Sequence, residues 1–287
     1  MQELAENIYL EDGYAGVTLG AINLPHGLIQ IDAPPAPEDG RAWRAALLNL
    51  GGGVERVLVN LDSHPDRTLG ARAMDCTVIA HETTAQVFRS RPNTFKAQGD
   101  ETGADWERIP GIGSIRWALP EITFTEQMVI HWNNVPVVLE HHSGPSAGAI
   151  WVVLPSERIV FIGDLVLKGQ PPFFANANLP AWIESLETLL KAPYRGSVIV
   201  SSRGGIVSET VIRNQLELIK KANSDLDKLA NRQASPAATE KMINPMLASI
   251  RAPASRQKQF AQRLRYGLNR YYVRHYHLTS SSERDEE

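Results

Sequence analysis

Residues 60–70, NLDSHPDRTLG, place carboxylate and imidazole side chains at alternate positions. Asp62, His64 and Asp66 are of the types that bind zinc, and a catalytic zinc site also keeps one position for water. Two such ions side by side can share that water as a hydroxide for hydrolysis. The segment follows the apolar run VERVLVNL, so it predicts a metal-binding loop at the end of a strand.

Three further segments accompany this loop: VIAHE at 78–82, GPSAGAIWVVLPSERIVFIGDLV at 144–166 and IVSSRGG at 199–205. In order and spacing, the four segments resemble the metallo-β-lactamase superfamily, and within it the glyoxalase II-like hydrolases that have a helical C-terminal extension. The resemblance covers about residues 7–205. It implies an α+β fold, the αββα sandwich in which two mixed β-sheets lie between helices.

The metal ligands of that family are only partly present. Its loop reads His-x-His-x-Asp-His, then two variable residues and a glycine, which is Gly70 here. Of about seven ligands that the resemblance implies, the types retained are those of His64, Asp66 and Asp164. The histidines that are replaced correspond to Asp62, Arg67, Pro145 and Arg203.

One interpretation keeps a single metal. Carboxylate oxygens bind zinc, manganese and iron, so Asp62, His64 and Asp164 are candidate ligands of one Zn, Mn or Fe ion. Asp66 is then the catalytic residue that orients water. Pro145 offers no ligand atom. In this case the resemblance implies a hydrolase that acts on a thioester, ester or lactone.

The other interpretation, which we favour, is that the dinuclear site is lost. Arg67 and Arg203 are permanently cationic, and a guanidinium repels a nearby divalent cation. Without a metal, buried carboxylates at Asp66 and Asp164 need positive partners, which arginines provide through bidentate hydrogen bonds. We therefore expect arginine–aspartate pairs, no metal cofactor and no metal-dependent hydrolysis. The same two arginines are candidates for binding a small anionic ligand in the old cleft.

Each candidate also has a purely structural interpretation. His64 is compatible with a hydrogen-bonded histidine left in a former site, Asp66 with a helix N-cap, and Asp164 with capping of amides in a tight turn. His141 and His142 precede Pro145, the position in GPSAG where the family has a histidine ligand. Either histidine could replace that ligand only if the loop is shifted.

The surrounding pattern consists of two β-rich halves, each of which ends in strand–helix units. The first contains NIYLE, GVTLGAINLP, GLIQIDAP, a helix at PEDGRAWRAALLNL, the strand CTVIAHE and a helix at TTAQVFRS. The second contains ITFTEQMVIHW, VPVVLEHH, AIWVVLP, RIVFIGDLVL, a helix at LPAWIESLETLLKA and the strand GSVIVSS. Two such halves predict two sheets between helices. Polar, glycine-rich residues between 91 and 115 predict a surface loop with a short helix near GADWERI.

The remaining chain is helical in pattern. Apolar residues recur at helical spacing at Ile212, Leu216, Ile219, Leu226 and Leu229. Further helices are predicted at about 237–250 and 255–272. The predicted organisation is therefore a metallo-β-lactamase-like domain at 1–206, a helical extension at 207–278 and a disordered tail at 279–287.

Charge is distributed unevenly along the chain. The net charge is only −3, but residues 203–277 contain 14 Lys+Arg against 5 Asp+Glu, a balance of +9, which leaves −12 for the remainder. We expect this basic region to pack on the acidic domain or to form a homo-oligomer interface. Arginine and tyrosine in RLRYGLNRYYVRHYHL are also compatible with nucleic acid, but the spacing of Leu264, Leu268, Tyr271 and Tyr272 favours a core-facing helix.

The location is predicted from what the sequence lacks. A single cysteine, Cys76, permits no intrachain disulfide. The N-terminus has no basic region followed by an apolar stretch, and no apolar run approaches the roughly 20 residues of a membrane span. We therefore expect a cytoplasmic protein that makes no membrane contact.

Overall fold

The structure is a computed structural model that describes residues 1–96, 101–110, 112–132 and 136–277. The strands are Gln2–Ala5 (β1), Ile8–Glu11 (β2), Leu19–Asn23 (β3), Gly27–Ile31 (β4), Glu55–Val59 (β5), Thr77–His81 (β6), Thr94–Lys96 (β7), Ser114–Arg116 (β8), Ile122–Phe124 (β9), Gln127–Ile130 (β10), Val137–His141 (β11), Ile150–Leu154 (β12), Ile159–Phe161 (β13), Val198–Ser201 (β14) and Gly205–Val207 (β15). The α-helices are Pro37–Leu48 (α1), Pro65–Thr68 (α2), Glu82–Ser90 (α3), Leu179–Leu189 (α4), Glu209–Asn231 (α5), Ile243–Ser249 (α6) and Gln257–Tyr272 (α7).

The strands form two large sheets and a hairpin. The first sheet has the order β1-β2-β3-β4-β5-β6-β9, the second has the order β10-β11-β12-β13-β14-β15, and β7 pairs with β8. Neighbours from β4 to β9 in the first sheet are parallel, as are β13 and β14 in the second. Loops that leave the carboxyl ends of these parallel strands therefore meet at one edge of the molecule.

The sheets pack face to face, with helices outside them. Ile29 and Val59 of the first sheet share the central core with Val152 and Phe161 of the second. Trp43 of α1 covers the outer face of the first sheet. On the outer face of the second sheet lie α4 and the C-terminal helices. This is the predicted αββα sandwich with a helical extension.

The C-terminal helices share their core with the second sheet. Apolar side chains of α5 and α7 belong to the same cluster as Trp151 and Val160, and include Leu216, Ile219, Leu264 and Leu268. The helix predicted at 237–250 begins as a 3₁₀ helix, Pro236–Met242, and continues as α6. Within the described residues, none of the helices has the length and apolar content needed to cross a membrane. The tail predicted to be disordered, 279–287, lies outside the described residues.

The segment between 91 and 115 differs from the expected surface loop. Strands β7 and β8 pair there, and the predicted short helix is a 3₁₀ turn at Trp106–Arg108. Trp106 is buried in a cluster with Phe88 and Trp117. Aromatic burial therefore folds this polar segment back over the sheet edge, where it reaches the loops that follow the parallel strands.

Candidate functional site

Buried charged residues converge where four parallel strands end. Asp32 follows β4, the loop of Asp62 and Asp66 follows β5, and Asp164 and Arg203 follow β13 and β14. All of these side chains are buried. The chain thus places a charged cluster inside the protein, and each charge in it requires a partner of opposite sign.

The loop after β5 holds its residues through local hydrogen bonds. Asp62 Oδ1 accepts from the His64 backbone N–H at 2.8 Å, and His64 is the N-cap of the short helix α2. His64 Nδ1 accepts from the Asp66 N–H at 3.4 Å, so the capping role considered for Asp66 belongs to His64. A Cβ at Gly70 would lie 2.0 Å from Pro34 O, which explains the glycine that ends the loop.

Arg67 lies among three carboxylates. Its Nε is 3.2 Å from Asp62 Oδ1, its Nη1 is 3.4 Å from Asp32 Oδ2, and its Nη2 contacts Asp164 Oδ1. Burial opposes the charge of Arg67, but the three carboxylates outweigh burial and raise its pKa. Arg67 is therefore a fixed cation at the centre of the cluster.

Arg203 connects the cluster to the rest of the site. Its Nε donates to Asp164 Oδ1 at 3.0 Å, and its Nη2 donates to Asp66 Oδ2 at 2.8 Å and lies 3.0 Å from His64 Nδ1. Its Nη1 donates to the Gly16 carbonyl at 2.9 Å. Both arginines thus direct their guanidinium groups at aspartates, the arrangement that the sequence predicted.

Asp105 extends the network to the C-terminal helix. It lies in the folded-back segment, 3.4 Å from Arg203 Nη1 and 3.3 Å from Arg263 Nη2, and it also contacts Arg256. The next residue, Trp106, donates its backbone N–H to Asp66 Oδ1 at 2.6 Å. Burial raises the pKa of Asp105, but the three arginines outweigh burial and lower it overall.

Sequence reasoning missed four members of this network: Asp32, Asp105, Arg256 and Arg263. Asp32 follows the buried strand GLIQIDAP directly, as Asp62 follows its own strand, and this shared position was the available signal. The sequence carries no such signal at Asp105 or Arg263. Asp105 lies in a polar segment, and Arg263 lies among the arginines of an amphipathic helix.

Comparison with known proteins shows which superfamily the domain around this site resembles. Residues 63–200 match the family model described as the metallo-beta-lactamase superfamily. The chain contains a metallo-β-lactamase superfamily domain. No curated protein matches the chain.

Solved structures have the same fold. A metallo-beta-lactamase from Pontibacter korlensis is 18% identical, with 76% of this chain and 97% of that chain covered and a TM-score of 0.58. A metallo beta lactamase from Erythrobacter litoralis is 17% identical, with 77% and 95% covered and a TM-score of 0.56. The sec-alkylsulfatase Pisa1 from Pseudomonas sp. is 15% identical, with a TM-score of 0.63. That match covers 95% of this chain, which spans about half, 49%, of the sulfatase.

The superfamily's metal ions do not fit the residues present here. Asp62 and Asp164, the candidate carboxylate ligands, both contact Arg67, and the Nδ1 of His64 faces Arg203. A divalent cation between these residues would lie beside two guanidinium groups and would be repelled by both. In the described part of the chain, no group of three or more His, Cys, Asp or Glu residues is arranged to hold a metal ion.

His64 is held as a neutral imidazole. Burial lowers its pKa well below the ordinary value, and the positive charge of Arg203 lowers it further. Because Nδ1 accepts N–H donors, the ring proton resides on Nε2. His64 is therefore a hydrogen-bond donor through Nε2.

The buried carboxylates differ in their pKa values because the arginine charges oppose the effect of burial to different extents. Burial raises the pKa of Asp32 to about 7, with Arg67 only partly opposing it. Burial likewise raises the pKa of Asp62 and of Asp66. At Asp164 burial is outweighed by Arg203 and Arg67, so its pKa is lowered.

A cleft of about 180 Å³ lies against this cluster. Its lining includes His64, Arg91, Ser146, Phe173 and Tyr266, but neither Arg67 nor Arg203. Phe173 packs its ring 4.4 Å from His64 and covers the guanidinium of Arg203 at 4.5 Å. The aromatic ring therefore separates Arg203 from the cleft.

His141 and His142 do not line this cleft. His141 stacks on His81 at 3.9 Å, and its Nε2 is 2.8 Å from the Ala147 carbonyl. His142 stacks on Trp151 at 3.5 Å, and its Nε2 is 3.3 Å from Glu140 Oε2. In this structure, neither histidine takes the place of the missing metal ligand.

Proposed function

We propose that this chain is a metal-independent member of the superfamily, a pseudoenzyme that binds a small anionic ligand in the cleft beside the former metal site. The observation that carries the proposal is the burial of Arg67 and Arg203 among Asp62, Asp66 and Asp164. Two fixed cations take the place of the metal charge and hold the carboxylates. The superfamily's metal-dependent hydrolysis is then absent.

In this proposal Arg67 and Arg203 organise the site, and other residues contact the ligand. The nitrogens of both arginines face carboxylates, carbonyls or His64, and Phe173 covers Arg203. The sequence suggested that the two arginines bind the anionic ligand directly. In this proposal they instead hold in place the residues that contact it. Asp66, the candidate catalytic residue, is also buried, and its two oxygens accept from Trp106 and Arg203.

The cleft is lined by the carboxylates of Asp62 and Asp164, which contact Arg67, and by several hydrogen-bond donors. Arg91 donates Nη1 to the Ser63 carbonyl at 2.9 Å, which fixes its guanidinium beside the cleft. His64 presents an N–H through Nε2, since its Nδ1 is an acceptor. Ser146 Oγ is buried and has no hydrogen-bond partner among the described residues. A cation with two neutral donors suits a carboxylate or phosphate group.

The size of the cleft restricts the ligand. At about 180 Å³ it is smaller than the roughly 300–1,000 Å³ of pockets for drug-sized molecules. The expected ligand is therefore a small acid, or the anionic end of a longer molecule. A narrower kinship with glyoxalase II-like hydrolases and a cytoplasmic location remain predictions.

Metal content per chain tests the first half of the proposal. The purified protein is incubated with zinc, manganese or iron, dialysed and measured by plasma mass spectrometry. We expect close to zero metal per chain. A stoichiometric ion that is lost in both Asp62→Ala and His64→Ala would instead establish the mononuclear site.

Anion binding tests the second half independently. Acetate and inorganic phosphate are titrated into metal-free protein by calorimetry. We expect saturable binding that Arg91→Gln abolishes and Arg89→Gln leaves unchanged, since Arg89 is an exposed neighbour paired with Glu82. Equal effects of the two substitutions, or no binding of either anion, would refute the assigned cleft while leaving the metal result intact.

A further inference from the structure

A second and larger cavity lies among the C-terminal helices. It occupies about 840 Å³ between α5 and the segment that contains the 3₁₀ helix Pro236–Met242 and α6. It shares no lining residue with the cleft at the former metal site. Its volume falls within the range of small-molecule pockets. This groove is therefore a separate candidate site.

The groove has an apolar lining. Leu218, Ala222 and Leu229 line it from α5, and Met242 and Met246 line it from the opposite side. Unbranched methionine side chains adapt to the shape of an apolar partner. Such a surface suits a flexible hydrocarbon chain.

The rim of the groove is basic. Its exposed cations without a carboxylate partner among the described residues are Lys168, Arg232, Lys241 and Arg251. Lys221 and Lys228 share the single carboxylate of Asp225. Glu217 is the other acidic residue in the lining. The unbalanced positive charge favours an anionic occupant.

Gln215 provides an independent sign of a ligand. It lies on α5, is only 5% exposed and lines the groove, yet its Nε2 has no hydrogen-bond partner within the described residues. A buried donor without an acceptor costs free energy. An oxygen of a bound molecule would provide that acceptor.

We propose that this groove binds an anionic amphiphile of the fatty-acid class. Its hydrocarbon chain packs against the leucine and methionine lining, its carboxylate is held by the basic rim, and one of its oxygens accepts from Gln215 Nε2. The unpaired cations select against a neutral or cationic head group of the same chain length. Binding here does not depend on the cleft beside Arg91.

Calorimetric titration of the full chain with sodium dodecanoate, below its micelle concentration, tests this site. We expect saturable binding near one molecule per chain. Dodecan-1-ol and dodecyltrimethylammonium, which have the same chain length, should bind at least about 10-fold more weakly. Gln215→Met retains the length of the side chain but removes the donor, and should weaken dodecanoate binding by roughly 3- to 10-fold.

The charge requirement is tested with exposed residues, whose substitution leaves the core intact. The double variant Lys241→Gln/Arg251→Gln should weaken dodecanoate binding, whereas Lys258→Gln, an equally exposed lysine outside the groove, should not. Absence of saturable binding, equal binding of the alcohol, or equal effects of the rim and control variants would overturn the proposal. A dimer, detected by sedimentation, that binds no dodecanoate would also overturn it.

Discussion

Arg203 Nε lies 3.0 Å from Asp164 Oδ1, and the same oxygen also contacts Arg67, with all three side chains buried. Two guanidinium groups thus share one carboxylate, which keeps the pKa of Asp164 below its ordinary value despite burial. In the resemblance to the superfamily, this aspartate corresponds to a metal ligand. Here it bridges two arginines.

Asp164→Asn should destabilise the protein strongly. The amide preserves the shape of the side chain but leaves two buried guanidinium groups short of a negative charge. Breaking a buried ion pair from one side costs about 3–5 kcal/mol, and we expect a loss of that order in the free energy of unfolding, measured with urea. As a control, Glu240→Gln breaks an exposed pair with Arg265 and should cost under about 1 kcal/mol. Equal losses of unfolding free energy in the two variants would show that the buried ion pairs stabilise the protein no more than an exposed pair does.

The sequence predicted the fold and part of this network because those parts follow local patterns. Strands such as VERVLVNL are apolar runs bounded by turn residues, and Asp62, Asp66, Arg67, Asp164 and Arg203 occupy positions known from a family motif. Asp105 and Arg263 could not be found in this way. They lie about 160 residues apart, and only tertiary packing of Trp106 and α7 brings them together.

Asp105→Asn should loosen the C-terminal helix. Arg256 and Arg263, at the start and in the middle of α7, both depend on this carboxylate, and Arg203 shares it. We expect faster amide hydrogen exchange in α7 and little change in the central sheets. Asp75→Asn, which removes an exposed partner of Arg44, is the matched control. Unchanged exchange in α7 would mean that apolar packing alone docks the helix.

His64 should remain neutral where ordinary histidines are half protonated. Burial and Arg203 lower its pKa well below 6.5, and its Nδ1 is occupied as an acceptor. At pH 6.5 a long-range ¹H–¹⁵N spectrum should include a signal of the neutral Nε2–H tautomer from His64. Loss of that signal in His64→Gln assigns it. A protonated His64 at this pH would contradict the acceptor role of Nδ1 toward the Asp66 N–H and Arg203, because both nitrogens of an imidazolium are donors.

The stability of the protein should depend on pH through Asp32. Burial raises its pKa from 3.8 to about 7, so the folded state retains a proton that the unfolded chain releases. The stabilisation linked to this proton is fully present below pH 3.8 and is lost as pH rises through about 7. Asp32→Asn cannot ionise, and its amide oxygen can still accept the Leu61 N–H.

The free energy of unfolding of Asp32→Asn should therefore rise relative to the natural protein between pH 5 and pH 8, as measured by urea denaturation at each pH. Asp164→Asn provides the contrast. Since the pKa of Asp164 is lowered below 3.8, its linked stabilisation is lost only in more acidic solution. Its difference from the natural protein should stay constant over the same interval. If the Asp32→Asn difference is equally constant, Arg67 holds Asp32 ionised throughout this interval.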